Sequence, residues 1–291
     1  MNFGKILTAM VTPFNKNGEI DLDQTTNLIN YLLENGTDGL VVAGTTGESP
    51  TLTTKEKLEL FSHVVKIVDK RVPIIAGTGG NNTQSSIELT KEAEKCGVDA
   101  IMLVTPYYNK PNQQGLYEHF KTVANATNLP VMLYNIPGRS VINMNAETII
   151  ELSKIENIVS VKEASGDLDQ AATIIEHTSD DFTVYSGDDG LTLPMLSIGG
   201  DGIVSVASHV IGNEMKEMVQ AFNEGNMKLA ASLHRKLLPI MNGLFNAPSP
   251  SPVKYALSIK GIQTGGVRLP LVPLTEQEEN DLKSLMNTLK Y

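Results

Sequence analysis

The sequence predicts an α/β fold: a (β/α)8 TIM barrel followed by a C-terminal helical extension. Three observations point there. Eight short apolar runs rich in Val and Ile recur along the first part of the chain. Segments with helical periodicity and capping signals separate them. Beyond residue 210 the strand-like runs stop while the helical pattern continues. Continuous apolar runs suit parallel strands covered on both faces. Alternation of strand and helix builds right-handed parallel units. No G-x-G-x-x-G opens an early helix, which disfavours the rival doubly wound dinucleotide sheet.

The strands are expected in KILTAMV (5–11), GLVVAG (39–44), PIIAGT (73–78), AIMLVTP (100–106), PVMLYN (130–135), NIVSVKE (157–163), FTVYSG (182–187) and GIVSV (202–206). Between the second and third, Thr53 is placed to cap a helix and Glu56 stands three residues on. Leu58, Phe61, Val65 and Val68 then line one face. TQSSIELTKEAEKCG predicts a helix stopped by Gly97, and QQGLYEHFKTVANAT predicts another. Downstream, NEMKEMVQAFNEGNMKLAASLHRKLLPIMNGLF reads as two helices broken near Gly225. SPSPVKYALSIKG and the capped TEQEENDLKSLMNTLK follow. The expected division is a barrel over 1–225 and a helical region over 226–291.

Composition narrows the function classes. With 41% hydrophobic and 19% charged residues, the chain reads as globular rather than disordered. A net charge of −10 argues against nucleic acid and anionic membranes as partners. Cys96 is the one cysteine, so no intramolecular disulfide is possible, and a reducing compartment is compatible. No secretory leader pattern and no stretch of membrane-spanning length is evident. A cytoplasmic protein is expected. The five histidines are scattered without metal-ligand spacing, so no metal site is expected.

In such barrels chemistry gathers at the C-terminal ends of the strands. That rim should carry GTTGES (44–49), GTGGNNT (77–83), TPYYNKP (105–111), YNIPGRS (134–140), Lys162, SGDDG (186–190) and VSVASHV (204–210). GTTGES lacks a phosphate-loop frame and reads as a strand-to-helix turn or as a nest of N–H and hydroxyl donors for a carboxylate. GTGG reads as a packing turn. Asp188 and Asp189 read as a helix N-terminal cap.

Lys162 is either a snorkelling lysine paired to a carboxylate or a Schiff-base nucleophile. An ordinary lysine is neutral in only about 1 of 2,500 molecules at pH 7, and desolvation in a barrel mouth raises that fraction. Schiff-base chemistry also needs a proton shuttle. Tyr134, ending the neighbouring strand, is the candidate, against the alternative of an amphipathic rim aromatic.

The set GTTGES, TPYYNKP, YNIPGRS and VKEASGD, in this order over essentially the whole chain, resembles the pyruvate-dependent class I aldolase family. The resemblance implies that Lys162 forms an imine with pyruvate, whose enamine attacks L-aspartate 4-semialdehyde on the route to diaminopimelate and lysine. It implies no metal or organic cofactor. Tyr134, Thr46 and Tyr108 resemble the family's proton relay, with Tyr108 reaching in from a neighbouring subunit. Thr45 and Thr46 resemble the pyruvate-carboxylate donors, and Arg139 the partner of the semialdehyde carboxylate. Gly187 and Val204 match backbone positions of the pocket. A homotetramer built from two dimers is implied. Arg139 and the Thr45–Thr46 pair separate this branch from N-acetylneuraminate lyase. A non-catalytic barrel that binds a 2-oxo acid is the reading from another class. Lysine-inhibited members carry histidines and an acid where this chain has Thr54, Lys57 and Ser85, with Asn81 and Tyr107 kept. Weak or absent inhibition by L-lysine is expected.

Overall fold

The computed structural model describes residues 3–288. Eight parallel strands close a barrel in sequence order. The first half runs β1 (Ile6–Ala9), α1 (Leu22–Glu34), β2 (Gly39–Val42), α2 (Thr54–Val68), β3 (Ile74–Gly77), α3 (Thr83–Lys95), β4 (Ala100–Val104) and α4 (Gln113–Ala124). The second runs β5 (Val131–Asn135), the short α5 (Pro137–Ser140), α6 (Ala146–Leu152), β6 (Ile158–Glu163), α7 (Leu168–His177), β7 (Thr183–Ser186), α8 (Thr192–Ser197) and β8 (Gly202–Ser205). Then come α9 (Ser208–Asn223), α10 (Met227–Gly243), α11 (Ser251–Ile259) and α12 (Glu276–Thr288). Each of the eight expected strands is present. The predicted end of the last helix, Leu289 and Lys290, lies outside the described residues.

Local chemistry explains the boundaries. Thr53 and Glu56 form a reciprocal capping box at the start of α2, worth about 1 kcal/mol. Gly97 ends α3 with a left-handed φ of 85°, and Gly225 with φ 78° separates α9 from α10. One expectation is corrected. The buried face of α2 is Leu60, Phe61, Val64 and Val68, while Leu58 and Val65 are only partly buried against the same core. The face is rotated toward the strands because Leu60 and Val64 lie between the residues the spacing picked out.

Strand parity sorts side chains between two cores. Leu7, Ala9, Val41, Ile75, Met102, Met132 and Val204 fill the lumen. Ile6, Leu40, Ile101, Leu133 and their alternates face the helices. The tail shares the outer core: Leu237, Ile240, Leu257 and Leu282 pack in one cluster with Leu28 and Phe61.

β6 breaks the alternation. Val131 pairs with Ile158, but Met132 pairs with Ser160, so Val159 is an extra residue, a bulge of a kind rare between parallel strands. Ile158 and Val161 both face the helix layer, whereas strict alternation would put them on opposite sides. The extra residue resets the phase, so Lys162 follows Val161 back into the lumen.

Candidate active site

Lys162, one residue before the end of β6, lies directly across from Tyr134 on β5 and Tyr185 on β7. It is buried, and its Nζ lies 4.2 Å from the centroid of the Tyr134 ring. Among the described residues no carboxylate lies within ion-pair distance of it. The adjacent Glu163 is buried but committed elsewhere. Its carboxylate accepts from Asn135 Nδ2 at 3.3 and 3.0 Å, from Gln170 Nε2 at 3.0 Å and from the Ser165 N–H at 2.6 Å. Glu163 therefore ties the ends of β5 and β6 together on the outer face, while the same pair of strands presents Tyr134 and Lys162 to the lumen.

The two tyrosines beside Lys162 differ in what their hydroxyls do. Tyr185 donates its O–H to the Gly4 carbonyl at 2.9 Å, toward the N-terminal end of the barrel. Burial, reinforced by Asp201, pushes this phenol above its ordinary range. Tyr134 is held by its backbone instead: Thr105 donates to the Tyr134 carbonyl from its N–H at 2.9 Å and from Oγ1 at 2.7 Å. A fixed backbone with an uncommitted hydroxyl suits proton transfer, which needs the donor positioned but free to exchange partners.

A cavity of about 470 Å³ opens over this end of the barrel. Thr45, Tyr134 and Arg139 line it, together with Gly77–Gly80 and Tyr107. Lys162, Thr46, Gly187 and Val204 are not in its lining; Lys162 stands behind the Tyr134 ring. No Asp or Glu lines the cavity, whereas Lys57 and Arg139 do. Burial pushes the Lys57 amine below its ordinary value. The arrangement favours anionic ligands in a chain whose net charge is −10.

The turn after β2 is tightly built. The Glu48 N–H donates to Thr45 O at 3.0 Å and the Ser49 N–H to Gly44 O at 3.2 Å. Thr12 Oγ1 donates to Gly47 O at 2.7 Å. Two non-glycine residues, Ala43 at φ 52° and Glu48 at φ 57°, adopt left-handed backbone at its two ends, costing roughly 1–2 kcal/mol each. Gly77 makes room for this turn, since a Cβ there would sit 2.4 Å from the Ala43 carbonyl oxygen. GTGG is thus a packing turn as expected, and it also lines the cavity.

The other expected residues fall as follows. Thr46 is buried in the turn. A Cβ on Gly187 would lie 3.1 Å from Lys162 Cε, so this glycine flanks the lysine shaft. Val204 is buried in the lumen with Tyr134. Arg139 sits on the short α5 with no ion pair among the described residues. Tyr108 is not brought in. It is 89% exposed with a left-handed φ of 73°, projecting from a loop tethered by Asn81 Nδ2 donating to Tyr107 O at 3.1 Å.

Sequence reasoning missed several buried polar groups here. Asp188 does cap the turn after β7. Asp189 instead is fully buried and accepts from Ser205 Oγ and from the Val206 and Ala207 N–H groups. Its burial raises the carboxyl above its ordinary value. Glu48 and Lys254 form a buried ion pair at 2.7 Å. The only available signal for the latter was a lone lysine on the apolar face of α11, between Val253 and Ala256.

Comparison with known proteins is consistent across the chain. Residues 2–289 match the Dihydrodipicolinate synthetase family. The chain is 63% identical over 290 residues to 4-hydroxy-tetrahydrodipicolinate synthase 2 of Halalkalibacterium halodurans, covering 100% of this chain and 99% of that one. It is 59% identical to the 4-hydroxy-tetrahydrodipicolinate synthase of Bacillus subtilis, covering 99% and 100%. A crystal structure of dihydrodipicolinate synthase from Bacillus anthracis superposes with a TM-score of 0.98 at 61% identity, covering 99% and 98%. With its barrel, its lumenal lysine and these matches over its full length, the chain belongs to the dihydrodipicolinate synthetase family.

Proposed function

We propose that this protein condenses pyruvate with L-aspartate 4-semialdehyde through a Schiff base on Lys162, giving 4-hydroxy-tetrahydrodipicolinate for the diaminopimelate and lysine pathway. The observation that carries the reading is a buried amine without a carboxylate partner, packed against a tyrosine ring at the C-terminal end of a parallel barrel. The Lys162 amine attacks C2 of pyruvate, and loss of water from the carbinolamine leaves an imine. Loss of a methyl proton gives the enamine. Its carbon attacks the aldehyde carbon of the second substrate, whose own amine then closes the ring at C2 and releases Lys162.

Tyr134 moves protons to and from the carbinolamine oxygen, in relay with Thr46 and with Tyr108. Hydroxyls suit the task because they pass a proton without carrying net charge for long. Tyr108 is exposed and held in a left-handed conformation on a tethered loop, which supports its donation to a second copy's site in a homotetramer. Thr45 and Thr46 hold the pyruvate carboxylate. Arg139 grips the semialdehyde carboxylate, and Gly187 and Val204 shape the floor. Among the described residues no helix is long and apolar enough to cross a membrane, and the proposed setting is the cytoplasm.

Borohydride reduction in the presence of pyruvate tests the reading. Inactivation with a pyruvyl adduct mapped to Lys162 is expected; full activity and an unchanged intact mass would sink it. Arg139→Ala should raise KM for the semialdehyde by ~10-fold or more, through loss of a two-pronged carboxylate contact, with KM for pyruvate nearly unchanged. Equal rises in both would remove Arg139 from its role. Thr54, Lys57, Asn81, Ser85 and Tyr107 line one cavity that holds no carboxylate, which supports weak inhibition by L-lysine. Half-inhibition at sub-millimolar lysine would overturn that point.

A further inference from the structure

We infer that Glu48 and Lys254 are positioning residues: their buried ion pair lets the C-terminal segment set the place of Thr45 and Thr46, and thereby the affinity for the 2-oxo acid. The inference rests on the assignment of those threonines as carboxylate donors and goes beyond it.

The side chains of Lys254 and Glu48 are 3% and 1% exposed, and Nζ lies 2.7 Å from Oε1. Lys254 also donates to the Gly266 carbonyl at 2.7 Å and stands 4.3 Å from the centroid of the Phe14 ring. The other Glu48 oxygen accepts the Arg268 N–H at 2.9 Å. Arg268 continues the clamp. Its Nε donates to Gly18 O at 2.8 Å, Nη1 donates to Thr51 O at 2.7 Å, and the guanidinium pairs with Glu56 at the start of α2.

Glu48 is the residue that closes the donor turn. Its N–H holds the Thr45 carbonyl, and its own backbone is left-handed. Nothing local favours that conformation in a glutamate. Its carboxylate, anchored on α11 and on the irregular segment after it, fixes the side chain and so the backbone that bears it. A buried ion pair adds little net stability over an apolar pair of equal volume. What it adds is direction, because one oxygen of Glu48 takes the Arg268 N–H and the other stands at ion-pair distance from Lys254. Donor placement matters steeply where a carboxylate must be held for reaction.

The experiment is borohydride trapping of pyruvate, titrated in wild type, Lys254→Met, Glu48→Gln and the double variant, alongside KM for both substrates. All are read well below each variant's melting temperature. Lys254→Met, which leaves a buried carboxylate without its cation, should raise half-saturating pyruvate by ~10-fold, with KM for the semialdehyde within ~2-fold. Glu48→Gln keeps the hydrogen-bonding shape and should raise it by ~3-fold. The double variant should recover most of the loss, since neither partner is then an orphaned charge. A lower melting temperature with unchanged half-saturation overturns the inference, as does an equal rise in both KM values. Should Lys254→Met not fold, Glu48→Gln decides on the same criterion. Wild type is the control: absence of its adduct counts against the Schiff base, whereas the clamp is judged only on the ratio of variant to wild type.

Discussion

Lys162 and Lys254 are the two lysines buried among the described residues, at 5% and 4% exposure, and they stand in opposite surroundings. Lys254 faces a carboxylate at 2.7 Å and a backbone carbonyl at 2.7 Å. Desolvation pulls its amine below the ordinary value, and Glu48 opposes the pull. Lys162 has an aromatic face and no anion. Equal burial therefore says nothing about role. A lysine buried with its counter-charge is held in place by it, whereas one buried without it suits the nucleophile proposed for Lys162. The negative charge next to Lys162 in sequence is on Glu163, where the strand turns it outward into an amide network.

Making the same substitution at both lysines tests this contrast directly. Lys162→Met should lower turnover by roughly 10⁴-fold or more, as loss of a nucleophile does, and abolish the adduct. Its melting temperature should hold or rise, because no buried partner is orphaned and an unpaired buried amine is replaced by an apolar side chain. A clear fall in stability would mean that Lys162 carries structural load. Lys254→Met should do the reverse. It should destabilise the fold by about 3–5 kcal/mol, measured by urea unfolding, yet keep turnover at saturating pyruvate. Loss of that turnover would erase the distinction between the two sites. Tyr134→Phe sharpens it further. The ring that packs against Lys162 is retained and only the hydroxyl goes, so folding should be normal and turnover should fall by ~10²-fold. Near-normal rates would leave Tyr134 as packing alone.

Much of this was legible in the sequence because it is carried by local pattern. The strand runs, the Thr53–Glu56 box and the Gly97 stop need only neighbours a few residues apart. The adjacency of Tyr134 and Lys162 followed from strand order alone. Pairings between distant segments were not legible. Arg268 and Glu48 are 220 positions apart, and no periodicity marks either. Asp189 looked like one of two capping acids; only the return of β8 beside it reveals that it holds the Val206 and Ala207 amides. The α2 face was misjudged by a fraction of a turn, because the spacing admits more than one apolar stripe and the strands select between them. Tyr108 belongs to a surface that a single chain leaves exposed.

The extra residue at Val159 has a consequence that no side-chain exchange can reproduce. Were Val159 carried in regular alternation instead of as a bulge, Val161 would turn into the lumen and the amine out among α6 and α7. Which way the Lys162 amine points is thus set by how one residue of β6 is accommodated, and loss of Val159 itself would close the bulge with Lys162 still opposite Tyr134. The orientation of that amine therefore rests on one local irregularity upstream, and not on the residue type at position 162 alone.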